Sequence, residues 1–180
     1  MPSPLQPEQA TFLRDGHLLP LLKAEHPVTR RVIEAIPLDK ADFRHDDVAK
    51  SAIDLAWHIV GAEHRFMNAV VTGVFDYSNS GRPESLRTSA DVAGWYGEAF
   101  ARDVEQVAAV PADELVKILD FRGLFQLPAI AFLRIGLNHS IHHRGQLSMY
   151  LRPMGAKVPS IYGESYDATQ ARLAAAQTTA

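Results

Sequence analysis

The 180-residue chain contains no cysteine. That excludes disulfides, thiolate zinc sites and a cysteine nucleophile, and leaves histidine and carboxylate as its strong metal ligands. The absence also fits a reducing compartment. Positive charge is not in excess either: 18 Lys and Arg stand against 21 Asp and Glu, a formal net charge of -3. No overall basic field is available to hold nucleic acid, so no nucleic-acid partner is expected. Long apolar runs are missing as well. None approaches the roughly 20 residues that span a bilayer, so no membrane partner is expected. The stretch Met1–Ala10 has no charged region followed by an apolar core, unlike a signal peptide. A cytoplasmic protein is the expectation.

What remains is ordinary globular material, 47% hydrophobic and 22% charged, enough for one domain with a substantial core. That domain is expected over residues 1–167, with a frayed or weakly helical tail, rich in Ala, Thr and Gln, over 168–180. Four segments carry apolar residues at three- and four-residue steps. The first begins at about Pro7 or Leu18 and ends at Ile36, with a break or kink expected from Pro20 and Pro27. The second spans roughly Val48 to Thr72, with Gly73 placed as its C-cap. After an exposed loop over Phe75 to Pro83, which includes Asn79-Ser-Gly81, the third opens on the capping-box pattern Thr88-Ser-Ala-Asp91 and runs to Val110. Pro111 suits the start of a short extra helix. Phe121 to Phe125 reads equally as a turn or a short strand, and no strand signal competes with helix elsewhere. The fourth segment runs from Pro128 to Leu151, stopped by Pro153 and Gly155. Four long amphipathic helices predict an all-α four-helix bundle, where metal sites are built from facing helices.

Chemistry concentrates in Leu137-Asn-His-Ser-Ile-His-His-Arg-Gly-Gln-Leu147. On a helix each residue turns by about 100°, so His139 and His143 share a face one turn apart. Both fall on the stripe Ile135, His139, His143, Leu147, which must be buried, and buried imidazoles need partners. One metal ion serves both at once; polar partners in a core are the plainer alternative. His58, within Leu55-Ala-Trp-His-Ile-Val-Gly-Ala-Glu63, would supply a third ligand from a facing helix. By itself it reads as a satisfied core histidine. Three histidines leave coordination positions open, as catalytic ions require. Gly61 and Ala62 beside it leave either free volume or room for close helix packing. Gln146 lies on the His139 face two turns on and is a candidate pocket residue, as is His142 at the edge of the stripe. Arg144 suits either an anionic substrate or an ion pair. Glu25 and Glu63 are possible carboxylate partners for an imidazole N–H. His17, His26, His45 and His64 read as surface or packing residues.

Taken together, Asp54-Leu-Ala-Trp-His58-Ile-Val-Gly-Ala-Glu63, Asn138-His139-Ser-Ile-His-His143-Arg-Gly-Gln146-Leu and Pro159-Ser-Ile-Tyr-Gly163 resemble the DinB-like proteins, related to the YfiT-like metalloenzymes. The resemblance covers about Leu18 to Tyr166. It implies a four-helix bundle of up-down-down-up topology, often a homodimer, with a divalent metal on His58, His139 and His143 and with His142 outside the ligand set. Relatives of this fold include thiol-dependent S-transferases, a mycothiol-dependent isomerase and a hydrolase. The family name records inducibility by DNA damage, not an activity. Imidazole ligands favour zinc or nickel over calcium or magnesium. The resulting expectation is a metal-dependent enzyme acting on a small-molecule substrate, by thiol transfer first and by metal-assisted hydrolysis second. With no cysteine in the chain, a thiol would come from a small-molecule cosubstrate. The rival readings are a non-catalytic metal-binding or dimerisation module and a damage regulator acting on nucleic acid, which the acidic balance disfavours.

Overall fold

The computed structural model describes residues 4–78 and 80–178. The first three residues of Met1–Ala10, Asn79 of the expected Asn79–Gly81 loop and the last two residues of the tail lie outside them. The first helical segment is continuous from Pro7: α1 (Pro7–Leu13) passes through a π-helical turn, Arg14–Leu18, into α2 (Leu19–Glu34). The break falls before Pro20 and not at Pro27, which sits inside α2. Pro20 has no N–H and crowds the carbonyl four residues back, at Gly16. The wider π turn around Gly16 absorbs that conflict.

The second segment, α3, spans Ala52–Thr72 and therefore starts later than its periodicity predicts. The Asp46 carboxylate accepts from the backbone N–H groups of Val48 and Ala49 at 2.9 and 2.8 Å. This turn holds them out of the helix. Ser51 is the N-cap, accepting from Asp54 N–H at 3.2 Å. Gly73 ends α3 at φ +80°, as a left-handed cap. α4 (Ser89–Ala108) opens on the Thr88–Asp91 capping box, and α5 (Ala112–Leu115) follows Pro111. The ambiguous Phe121–Phe125 stretch is the turn of an antiparallel hairpin, β1 (Ile118–Phe121) with β2 (Phe125–Pro128). Arg122 and Gly123 there both take positive φ. The sequence reading missed these strands because each is only four residues long. α6 (Ala129–Leu151) is the fourth long helix, and α7 (Tyr166–Thr178) is a largely exposed C-terminal helix. Arg152 pairs with Asp167 at 2.8 Å, and Arg172 with Glu164 at 2.9 Å.

Side-chain contacts fix the topology. Ser89, at the start of α4, donates to the Ile36 carbonyl just past α2, and Arg14 reaches the Val110 carbonyl past the end of α4. α2 and α4 are therefore antiparallel. Tyr150, late in α6, donates to the Lys50 carbonyl just before α3, so those two are antiparallel as well. Trp57 meets Trp95 and His64 meets Asp103, which makes α3 and α4 parallel. Arg144 reaches Thr29, while the start of α6 lies beside Leu18, so α2 and α6 are parallel. The result is the up-down-down-up bundle. α3 packs between α4 and α6, and α2 closes the other side. Successive long helices α2 and α3 lie across the diagonal, which explains the long connection over residues 35–51. Ile53, Ile59, Met67, Phe132, Leu133, Leu147 and Leu151 are the fully buried heart of the α3–α6 seam. Gly136 permits that seam, since a Cβ there would come within 2.8 Å of Phe66 Cβ. Among the described residues no helix is long and apolar enough to cross a membrane.

Candidate metal centre

α3 runs antiparallel to α6, so a residue nearly two turns into the first lies opposite the middle of the second. This places His58 against His139 and His143. Their ring centroids lie 4.3–4.8 Å apart. One nitrogen from each falls within 4.8 Å of the others, and all three side chains are half-buried. His58 Nε2 is 3.2 Å from His143 Nε2. Two imidazole ligands on one tetrahedral zinc would stand about 3.4 Å apart, given Zn–N bonds of ~2.0–2.1 Å. The pair is already at that spacing.

The electrostatics agree with a ligand role. Burial pushes His58 down to about 4, helped by the neighbouring His143, Lys50 and Arg65 charges. Burial takes His139 to about 3, with His143, His58, His142 and Arg65 acting in the same direction. His143 is lowered too, chiefly by burial, against the opposing effect of its hydrogen bond to Gln146. All three are therefore neutral at pH 7, with lone pairs available. His143 Nδ1–H donates to Gln146 Oε1 at 2.6 Å, which leaves the Nε2 lone pair facing His58 Nε2. The Gln146 amide in turn lies 3.3 Å from His142 Nε2. His139 Nδ1 is buried with no hydrogen-bond partner among the described residues. Such an atom is costly in a bare polar cluster. A set of neutral nitrogen donors with one orphaned buried atom fits a divalent cation.

Other expected residues fall elsewhere. Arg144 is 1% exposed, and of its two readings the ion-paired one holds. It pairs with Glu25 at 2.6 Å and donates to Thr29 Oγ1 and to Tyr162 OH, tying the segment after α6 back onto α2. Its donors are spent there, so it is not a pocket residue. Glu25 is occupied by that pair. Glu63 is buried and accepts from Tyr96 OH at 2.5 Å; burial holds its pKa up. Neither carboxylate touches an imidazole of the group. Gly61 packs against the Trp57 indole and opens no space beside the imidazoles. His26 stacks on Phe100 at 4.1 Å, a packing role. His64 carries a partner that sequence reasoning missed, Asp103 at 2.7 Å. Thirty-nine positions separate the two, and no local pattern signals the pairing.

Two clefts open beside the imidazoles. One, of about 410 Å³, is lined by His143, Gln146, Met149, Tyr150, Leu55 and His45 together with Ala49 and Lys50. The other, of about 440 Å³, reaches His58 and is lined by Trp57, Asp54, Arg44 and Arg82, again with Ala49 and Lys50. Among the described residues no carboxylate joins the three-histidine group.

A family model described as the DinB family matches residues 6–177. YjoA of Bacillus subtilis (strain 168) is 28% identical over 130 residues, covering 71% of this chain and 82% of YjoA. YrdA of the same organism is 31% identical over 113 residues, covering 61% of this chain and 64% of YrdA. Among solved structures, a DinB-like protein from Bacillus cereus ATCC 10987 superposes with a TM-score of 0.70 at 23% identity, covering 82% of this chain and 97% of that one. The YjoA crystal structure gives a TM-score of 0.67 at 23% identity, covering 80% and 96%. At that identity these structures speak for the fold alone.

Proposed function

The chain belongs to the DinB family, and from that premise we propose that it is a metal-dependent enzyme using His58, His139 and His143 as ligands of a zinc or nickel ion. The observation that carries this reading is the convergence of three neutral imidazoles from α3 and α6 on one point. The clefts alongside argue against a closed structural ion, and so against the non-catalytic module.

Thiol transfer is the favoured reaction. A divalent ion would act there as a Lewis acid that lowers the pKa of a bound small-molecule thiol. The thiol proton leaves to solvent and its sulfur attacks an electrophilic carbon. The C–S bond forms as the leaving group departs with its electron pair. No protein general base is needed for that step, which suits a group without a carboxylate. Hydrolysis is less well served: Asp54, the carboxylate lining the His58 cleft, is committed to Arg82 at 2.9 Å and to Ser51 at 2.7 Å. Gln146 orients His143, and Leu55, Met149 and Tyr150 supply an apolar wall for the electrophile. Assembly as a homodimer belongs to the same proposal.

The test is elemental analysis of protein purified without an affinity tag, beside a His139→Ala/His143→Ala double variant. Near-stoichiometric zinc or nickel in the wild type and little in the variant is expected. The loaded protein should then conjugate a small thiol to 1-chloro-2,4-dinitrobenzene faster than the variant does. Absence of metal from both proteins, with no uptake of added zinc or nickel, would overturn the reading.

A further inference from the structure

The residues common to both clefts are Ala49 and Lys50, from the connection before α3. The Tyr150 hydroxyl donates to the Lys50 carbonyl and ties that connection to α6. Lys50 is exposed, and its ammonium has no ion-pair or hydrogen-bond partner among the described residues. Its charge lies near enough to both His58 and His143 to act on each of them. Arg44 is the second cation on the His58 side. It donates to the Ala49 carbonyl at 2.6 Å, its charge also acts on Asp54, and it makes no ion pair among the described residues. Arg82, the third, is taken by Asp54 and by the Leu86 carbonyl. Among the described residues the His58 cleft wall therefore carries three cations against the single carboxylate Asp54, with Arg82 paired to Asp54, the Arg44 charge also acting on it, and the Lys50 ammonium unpaired.

We infer that Lys50 and Arg44 form an oxyanion subsite beside the three histidines, so that the substrate or cosubstrate is an anionic small molecule. Its charged end sits on the residue 44–50 connection while its reacting end faces the imidazoles. Several features support this assignment over a merely solvated surface. Free cations on an open face are common and signify little. Here Lys50 lines both clefts of ligand size and Arg44 lines the His58 one. They stand next to a group of neutral imidazoles that offers them no counter-charge. Like-charged Lys50 and a divalent cation repel one another, and an anion seated between them relieves that repulsion. Since Arg44 spends one of its donors on the Ala49 carbonyl, its guanidinium is held in place before a ligand arrives.

This inference rests on the proposed metal site for its meaning but not for its test. Succinate, its neutral diamide succinamide, and inorganic phosphate would be titrated calorimetrically at low ionic strength into the full chain. Metal-free and zinc-loaded protein would be compared, with Lys50→Gln and Arg44→Gln/Lys50→Gln alongside. Succinate or phosphate should bind the metal-free wild type, roughly ten-fold more weakly in Lys50→Gln, and not measurably in the double variant. Binding should weaken with added salt, and succinamide should not bind. Whichever anion binds more tightly identifies the oxyanion group. Zinc content and far-ultraviolet circular dichroism should be the same in all three proteins. Equal anion binding by wild type and double variant would overturn the subsite, as would no binding by the wild type in either form. If zinc fails to load, the proposed function falls while the metal-free titration still decides this inference.

Discussion

At His143 two requirements meet: Nε2 must present a lone pair beside His58, and Nδ1–H must have an acceptor. Gln146 Oε1 meets the second. Gln146→Leu keeps the helix and the volume but removes that acceptor. It should weaken zinc binding by about 10- to 100-fold, measured by competition with a chromophoric chelator, with little change in secondary structure. The pH dependence of stability follows from the same residues. His58 is held at about 4 and His139 at about 3, both below the ordinary 6.5. Between those values the unfolded chain binds protons that the native state refuses, so native stability falls as pH drops from about 6.5 toward 4. The Tm of metal-free protein should decline from about pH 7 to pH 5, and His58→Gln/His139→Gln should flatten the decline. An unchanged slope in that variant would place the acid sensitivity elsewhere. The His139/His143 pair was legible in the sequence because a helix repeats its own face every four residues. For Arg144 the sequence allowed an ion pair without selecting it, because its partners Glu25, Thr29 and Tyr162 come from distant parts of the chain.

Among the elements, α3 and α6 decide the site, because their separation sets the reach between His58 and the His139/His143 pair. Gly136 sits one turn before His139 where Phe66 crosses, and an added Cβ would meet Phe66 Cβ at 2.8 Å. Gly136→Ala should therefore push the helices apart and cost about 1–3 kcal/mol, the usual penalty of overpacking. Thermal unfolding would read that loss, and zinc affinity should fall with it. A lower Tm with unchanged zinc affinity would mean that the strain relaxes away from the imidazoles. The long helices could be read from the sequence in existence and order, and two of their caps as well: Thr88 with Asp91 before α4 and Gly73 after α3 are local chemistry. The start of α3 was misplaced because Val48 and Ala49 continue the apolar pattern. Only the Asp46 carboxylate, by taking their N–H groups, shows that they belong to a turn. The hairpin before α6 was legible only as a choice between turn and short strand at Phe121–Phe125, for a similar reason. Four-residue strands carry too little alternation to register, and the positive φ at Arg122 is not something its side chain advertises.

For the whole molecule, a metal that binds the native bundle and not the unfolded chain stabilises it by mass action, by about 4 kcal/mol at a thousand times Kd. Zinc should raise the Tm of the wild type and leave that of His139→Ala/His143→Ala unmoved. Sedimentation equilibrium should give twice the monomer mass if the proposed homodimer forms, and a single monomeric species would remove that part of the proposal.

The sequence by itself determined that the protein is helical and that two imidazoles share a face, because both are consequences of a 3.6-residue repeat acting over short distances. The absence of cysteine likewise left histidine and carboxylate as the strong metal ligands of the chain. The sequence offered His58 as a third member, but only the tertiary structure brought it to the pair. An antiparallel crossing of α3 and α6 brings together positions 85 residues apart, to 3.2 Å. It also placed Lys50 between two clefts and gave Arg144 to a buried ion pair. Those outcomes depend on the relative placement of helices, which is set by the summed packing of the core and is written in no single stretch of residues.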